Sequence, residues 1–269
     1  MVVFPFCKIN LGLSVLSKRA DGFHDLETCF YPVPWTDVLE IILSDKFTFT
    51  TSGNIIPGDP QDNLCVKAYR LLSKDFDLTP VQIHLHKIIP TGAGLGGGSS
   101  DGAHALKMLN AIFALNISQS KLMEYAAMLG SDCAFFIQNK PMIGTGRGEI
   151  LTEINFSLKK FLVIVKPNIH VSTRDAFSGI TPRAAEASVM DVISNHTVSE
   201  WKDLLTNDFE RTVFTKHPHL AIIKQRLYDL GATFASMTGS GSALFGIFER
   251  ETDVSEKFSD EVHWSGFVD

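Results

Sequence analysis

The sequence predicts an α+β protein, and three observations carry that class. Residues 8–15 alternate as a strand does, with Ile9, Leu11, Leu13 and Val15 on one side and Lys8, Asn10, Gly12 and Ser14 on the other. Residues 101–115 repeat apolar positions with a helical period, Leu106, Leu109 and Phe113 falling at i, i+3 and i+7. Between and beyond these segments, strand and helix patterns mix without strict strand–helix–strand alternation, which argues against a parallel α/β sheet.

The remaining elements follow in order. Asp21-Gly22 marks a turn. Residues 38–43 and 47–51 read as strands, 53–62 (rich in Gly, Pro and Asp) as a loop, 64–72 as a helix and 81–89 as a strand. Residues 121–129 form a helix ended by Gly130. The run 161–165 is a strongly apolar strand, and 201–205 and 220–230 are helices, the second stopped by Gly231. Strands at 233–237 and 243–248 flank Gly239-Ser240-Gly241, and the tail adds a short helix and a last strand. With 269 residues the chain can bury one large core or two modest ones. The Gly144–Gly148 loop closes the first half, so the expected domains are 1–157 and 158–269.

Composition narrows the function classes. A net charge of −6 gives no basic footprint for nucleic acid and no cationic face for lipid, so an anionic ligand needs a local positive site. No apolar run reaches the roughly 18–20 residues of a membrane span, and residues 1–10 lack the pattern of a signal peptide. Cys7, Cys29, Cys65 and Cys133 are scattered and form no CxxC, as expected for reduced, buried thiols in a cytoplasmic protein. His84-x-His86 and His217-x-His219 lack nearby ligands to complete a metal set and read as surface histidines.

The most informative stretch is 90–103, Pro-Thr-Gly-Ala-Gly-Leu-Gly-Gly-Gly-Ser-Ser-Asp-Gly-Ala, set between a strand and a helix. Glycines allow positive φ and close backbone approach, so the loop can aim its N–H groups at an anion, and the following helix adds its positive end. Ser99 and Ser100 supply hydroxyls at the helix start for capping, for a phosphate or for an accompanying Mg2+. A flexible surface loop is the plain alternative. Gly92, Gly94 and Gly97 also satisfy G-x-G-x-x-G, but residues 121–129 are helical where the dinucleotide fingerprint expects a strand ending in an acid. The P-loop pattern and the HRD and DFG elements of protein kinases are absent.

Three ordered stretches resemble the GHMP kinase superfamily: Cys7-Lys8-Ile9-Asn10-Leu11-Gly12-Leu13, the glycine-rich loop with its Ser-Ser, and Met237-Thr238-Gly239-Ser240-Gly241-Ser242-Ala243. Within it, Arg19-Ala20-Asp21-Gly22-Phe23-His24, Asp62-Asn63-Leu64, Leu129-Gly130-Ser131-Asp132 and Gly148-Glu149-Ile150-Leu151 resemble the branch that acts on 4-diphosphocytidyl-2-C-methyl-D-erythritol. The similarity spans about residues 5–250. Phe23 departs from the usual Tyr of that branch, and Cys7 and Cys133 stand where a small residue or Val is more usual.

The resemblance implies a two-domain fold with the active site in the cleft between the domains. It implies transfer of a phosphoryl group from ATP, with Mg2+, to the 2-hydroxyl of a small cytidine diphosphate substrate in non-mevalonate isoprenoid biosynthesis. Lys8 and Asp132 match the catalytic lysine and the general base. Were 133–137 a helix, its dipole would favour the Asp132 carboxylate. Asn63, Leu64 and Lys87 fall where the family surrounds adenine. Pro90, Gly92, Gly94, Leu95, Gly96, Gly97, Gly98, Ser99, Ser100 and Gly239 would hold the phosphates. Phe23 and Phe177 resemble the rings that stack on cytosine and His24 the reader of its edge, with Asn10 and Thr173 at the substrate. For each there is a plainer role: a solvated strand lysine for Lys8, a capping acid for Asp132, core for Phe177 and Leu64, a helix cap for Thr173. Adjacency of Cys7 to Lys8 and of Cys133 to Asp132 suggests that thiol oxidation blunts activity. The oligomer expected is a monomer or homodimer. Other readings are a homoserine- or mevalonate-type kinase, a non-catalytic sensor of the same fold, and a nicotinamide-dependent oxidoreductase.

Overall fold

A computed structural model describes residues 1–183 and 187–269. Its strands are β1 (Val2–Val3), β2 (Phe6–Lys18), β3 (His24–Thr36), β4 (Val38–Leu43), β5 (Thr48–Gly53), β6 (Val81–Lys87), β7 (Met142–Thr145), β8 (Ile150–Glu153), β9 (Lys160–Lys166), β10 (Phe234–Met237), β11 (Leu244–Phe248) and β12 (Val262–Val268). Its helices are α1 (Leu64–Leu72), α2 (Gly97–Ile112), α3 (Gln119–Leu129), α4 (Phe135–Gln138), α5 (Thr173–Phe177), α6 (Val189–Asn195), α7 (Trp201–Leu204), α8 (Phe209–Lys216) and α9 (Pro218–Asp229). The class is α+β, with mostly antiparallel sheets. Two compact units interleave along the chain, one of residues 1–8, 34–91 and 96–140, the other of 9–33, 92–95 and 141–269. Compactness therefore divides the chain differently from the linear division at 157/158.

The first unit is built on the sheet β1-β4-β6-β5, with β6 antiparallel to β4 and parallel to β5. The connection between the parallel strands runs through α1, as parallel pairing requires. Residues of β6 alternate strictly: Val81, Ile83, Leu85 and Lys87 are buried, while Gln82, His84 and His86 face outward. Period 2 thus drives the Lys87 side chain inward with three aliphatic ones. Outside, the Ser52 hydroxyl bonds both His84 and His86 at 2.9 Å. Asn63 starts α1, its side-chain oxygen accepting from Cys65 N at 2.9 Å.

The second unit carries the sheets β2-β3-β7-β8 and β10-β11-β9-β12. In the latter β9 is the inner strand between β11 and β12, and its residues 161–165 are all buried, which is why they read as one apolar run. A core of Leu13, Val15, Phe161, Val163, Phe209, Leu220, Leu244 and Phe258 joins sheet and helices.

Candidate active site

Lys8 lies in β2 between buried Cys7 and Ile9 and is itself only 3% exposed. Its Nζ stands 3.8 Å from Asp132 Oδ2. Burial lowers the Lys8 pKa, and the facing Asp132 carboxylate opposes that shift. Asp132 projects from the turn after α3, with its side chain 36% exposed. The apolar stretch 133–137 holds only the four-residue α4, which starts at Phe135 and does not carry Asp132 at its N-terminus. Close contact with the Lys8 ammonium, rather than a helix dipole, sets the surroundings of this carboxylate.

The glycine-rich loop is packed against this pair. Gly96 has φ +70°, and a Cβ there would fall 2.8 Å from the Phe136 ring and 3.2 Å from Lys8 Cε. Gly96 also caps α2 with no side-chain hydrogen bond, so no side-chain cap occupies the first-turn N–H groups. Helix α2 therefore starts at Gly97, earlier than its apolar period suggests. A cavity of about 260 Å³ adjoins this end, lined by Phe49, Thr51, Ile56, Asn63, Leu64 and Gly98 among others. A Cβ at Gly98 would meet nothing within 4 Å.

Behind the loop lies a buried charge cluster. Lys87, 2% exposed, donates to Asp37 and, at 2.9 Å, to Asp101 Oδ2. Asp37 Oδ1 in turn accepts from Ile88 N at 2.6 Å and Ile89 N at 2.8 Å. The cluster thus joins the end of β6, where the chain enters the loop, to the first turns of α2, where it leaves. Burial pulls the Lys87 pKa down, but Asp101 and Asp37 outweigh it and the net direction is up. Burial pushes Asp101 up to about 7, with Lys87 opposing and Asp37 reinforcing the rise. Its Oδ1 is buried without a hydrogen-bond partner. A carboxyl raised in the folded state stabilises most below its unfolded pKa and loses that contribution as pH rises through the folded value. Stability is thus expected to decline from this group between about pH 4 and about pH 7, and Asp101→Asn should flatten that slope in urea melts across the interval. An unchanged slope would contradict the assignment.

A second set of residues lies in the other unit. A Cβ on Gly94 would fall 2.1 Å from Thr238 O, and one on Gly239 3.1 Å from Gly94 O, so glycine is required at this contact. The Thr238 hydroxyl can donate to Gly94 O at 3.1 Å or to Asn10 Oδ1 at 3.2 Å. Asn10 Nδ2 donates to Thr28 Oγ1 at 2.9 Å. Asn207 Nδ2 donates to Met237 O at 2.7 Å and Gly239 O at 2.9 Å, fixing the turn. Further along, the His24 ring stacks on Phe177 at 4.9 Å, and Phe177 packs edge-on against Phe209. Phe23 is exposed at the tip of its turn.

Residues 63–140 match the family of GHMP kinases N terminal domains, and 189–260 match the GHMP kinases C terminal family. A protein of Bacteroides fragilis named 4-diphosphocytidyl-2-C-methyl-D-erythritol kinase is 52% identical over 261 residues, 95% of each chain. One of the same name from Cytophaga hutchinsonii is 48% identical over 256 residues, 94% of each chain. The chain belongs to the GHMP kinase family. A crystal structure of 4-(cytidine 5'-diphospho)-2C-methyl-D-erythritol kinase superposes with a TM-score of 0.86 at 29% identity, covering 100% of this chain and 99% of that one. Methanococcus jannaschii mevalonate kinase shares the fold, with a TM-score of 0.73 at 14% identity over 100% and 97% of the two chains. Among the described residues no helix is long and apolar enough to cross a membrane.

In this GHMP kinase, several expected residues fall together and others are placed differently. Lys8, Asp132 and Gly96 are in one cluster, and Asn63, Leu64 and Gly98 line one cavity. Lys87 lies inward of the loop, its ammonium paired with the Asp37 and Asp101 carboxylates. Asn10 is buried, its amide nitrogen donating to Thr28 Oγ1 and its amide oxygen facing the Thr238 hydroxyl. Ser100 is buried, its hydroxyl 3.3 Å from His104 Nδ1, which leaves the half-buried Ser99 nearer the surface. Thr173 does not cap its helix; Ser172 does, and the Thr173 hydroxyl lies 3.3 Å from that of Ser240. Oxidation of Cys7 and Cys133 loses its basis: both are buried, burial pushes Cys7 far up, and Cys133 is pushed up to about 12, also chiefly by burial. Asp37, Asp101, Thr28, Thr238 and Asn207 join these clusters without a sequence signal of their own. A lone buried polar residue carries no period of its own, and only its partners reveal it.

Proposed function

We propose that this GHMP kinase transfers the γ-phosphoryl group of ATP to the 2-hydroxyl of 4-diphosphocytidyl-2-C-methyl-D-erythritol. The observation that carries the reading is the Lys8–Asp132 pair set against Gly96 of the glycine-rich loop. Asp132 accepts the proton of the 2-hydroxyl as its oxygen bonds to the γ-phosphorus. The bond from that phosphorus to the bridging oxygen breaks, and ADP leaves. The Lys8 ammonium steadies negative charge on the transferring group. The cavity beside Asn63 and Leu64 receives the adenosine, and the uncapped first turn of α2 receives the phosphates.

Mg2+ would come with the nucleotide, held by phosphate oxygens and waters, and the half-buried Ser99 hydroxyl would be the side chain of the loop that supports it. Phe23, His24 and Phe177 take the cytosine, and Thr173 touches the substrate. The identities of 48–52% to relatives bearing that name favour this substrate over homoserine or mevalonate. We place the enzyme in the cytoplasm. A coupled assay of ADP release with MgATP is the test. Release is expected with the cytidine substrate and not with homoserine or mevalonate; the opposite pattern would reject the substrate assignment.

A further inference from the structure

The 144–148 loop has no part in the chemistry above, yet it places one side chain against the nucleobase residues. Phe23 sits at the tip of a turn closed by Arg19 N donating to Phe23 O at 2.8 Å, and by Phe23 N donating to Asp21 Oδ1 at 3.1 Å. The residue is 53% exposed, and its side chain has no polar atom with which to anchor itself. Over its ring lies the Arg147 guanidinium, with the central carbon 4.6 Å from the ring centroid. That is inside the roughly 6 Å reach of a cation–π contact.

The chain holds Arg147 there from behind. Gly146 and Gly148, at φ +67° and +104°, turn the loop. Gly146 O accepts from Leu26 N at 2.7 Å, tying the loop to the strand that follows Phe23. The Glu149 carboxylate accepts from Arg147 N at 2.6 Å and lies 3.7 Å from Arg147 Nε. The Arg147 guanidinium therefore covers one face of the Phe23 ring while the residue as a whole stays 53% exposed.

We propose that Arg147 is the positioning residue of the nucleobase site, holding Phe23 by one face so that the other is ready to stack on the pyrimidine. This rests on the reading that Phe23 receives the base. A ring ordered before binding loses less conformational freedom on binding, so the benefit falls on affinity for the cytidine substrate and not on the chemical step.

The experiment measures kcat and both KM values for the wild type, Arg147→Met, Arg147→Lys, Phe23→Ala and the Phe23→Ala/Arg147→Met double variant, with thermal melts of each. Arg147→Met is expected to raise the KM for the cytidine substrate about fivefold, with kcat, the KM for ATP and the melting temperature close to wild type. Arg147→Lys, which keeps the cation, should recover most of the loss. On the Phe23→Ala background the Arg147 change should alter KM by less than about twofold. An unchanged KM in Arg147→Met overturns the proposal while leaving the substrate reading intact. An equal rise with and without Phe23 also overturns it, since Arg147 then acts on the substrate directly. A wild type that phosphorylates homoserine or mevalonate and ignores the cytidine substrate overturns both.

Discussion

Asp132→Asn should lower kcat by between about a hundredfold and about ten-thousandfold, the range for loss of a positioned general base. The amide keeps the size of the carboxylate but cannot take the hydroxyl proton. It also removes the charge that faces Lys8 at 3.8 Å. Neither the cavity beside Asn63 nor the first turn of α2 is touched, so ATP should bind with near wild-type affinity. The coupled ADP-release assay gives the rate, and calorimetry with a non-hydrolysable ATP analogue gives the binding. A variant that keeps a tenth or more of the wild-type rate would remove Asp132 from the role of base.

Lys87→Met should be the most destabilising single change among these residues, costing about 3–5 kcal/mol, the usual penalty for stripping one partner from a buried ion cluster. The substitution leaves Asp37 and Asp101 facing one another in a site that is 2% exposed at Lys87. Two buried carboxylates without their cation must take up protons or admit water. The midpoint of urea unfolding, followed by circular dichroism, reports the loss. Replacing all three residues, as Asp37→Asn/Lys87→Met/Asp101→Asn, should cost less than Lys87→Met alone, because no charge is then stranded. Equal midpoints for Lys87→Met and the wild type would show that the cluster carries no net stability.

Much of the fold was legible wherever one period dominated. Residues 38–43 and 64–72 form the expected strand and helix with the same bounds. The long strand β3 is hidden in the sequence, because Pro32 and Pro34 argue against a strand and its burial pattern alternates poorly. Its pairing with β7, from residues more than 100 positions away, leaves no local trace. In β2 the expectation of one polar face was too simple: Lys8 and Asn10 are as buried as Ile9 and Leu11. Both find charged or hydroxyl partners, which only the three-dimensional arrangement supplies. The site was legible through its motifs, and the inward turn of Lys87 was present in the alternation of 81–87. That alternation places a charge in an apolar row, a sign that partners lie elsewhere in the chain.

The interleaving of the two compact units has a consequence for synthesis on the ribosome. All the chain of the first unit has been made once residue 140 is added, but the second unit also needs residues 141–269. Leu13 and Val15 belong to a core whose other members lie between Phe161 and Phe258. At ordinary translation speeds the final stretch takes roughly 6–26 s to appear, and for that time those aliphatic side chains wait without their native cover. The nascent chain is then a natural client for a chaperone, and a version cut at the midpoint would inherit the exposure permanently.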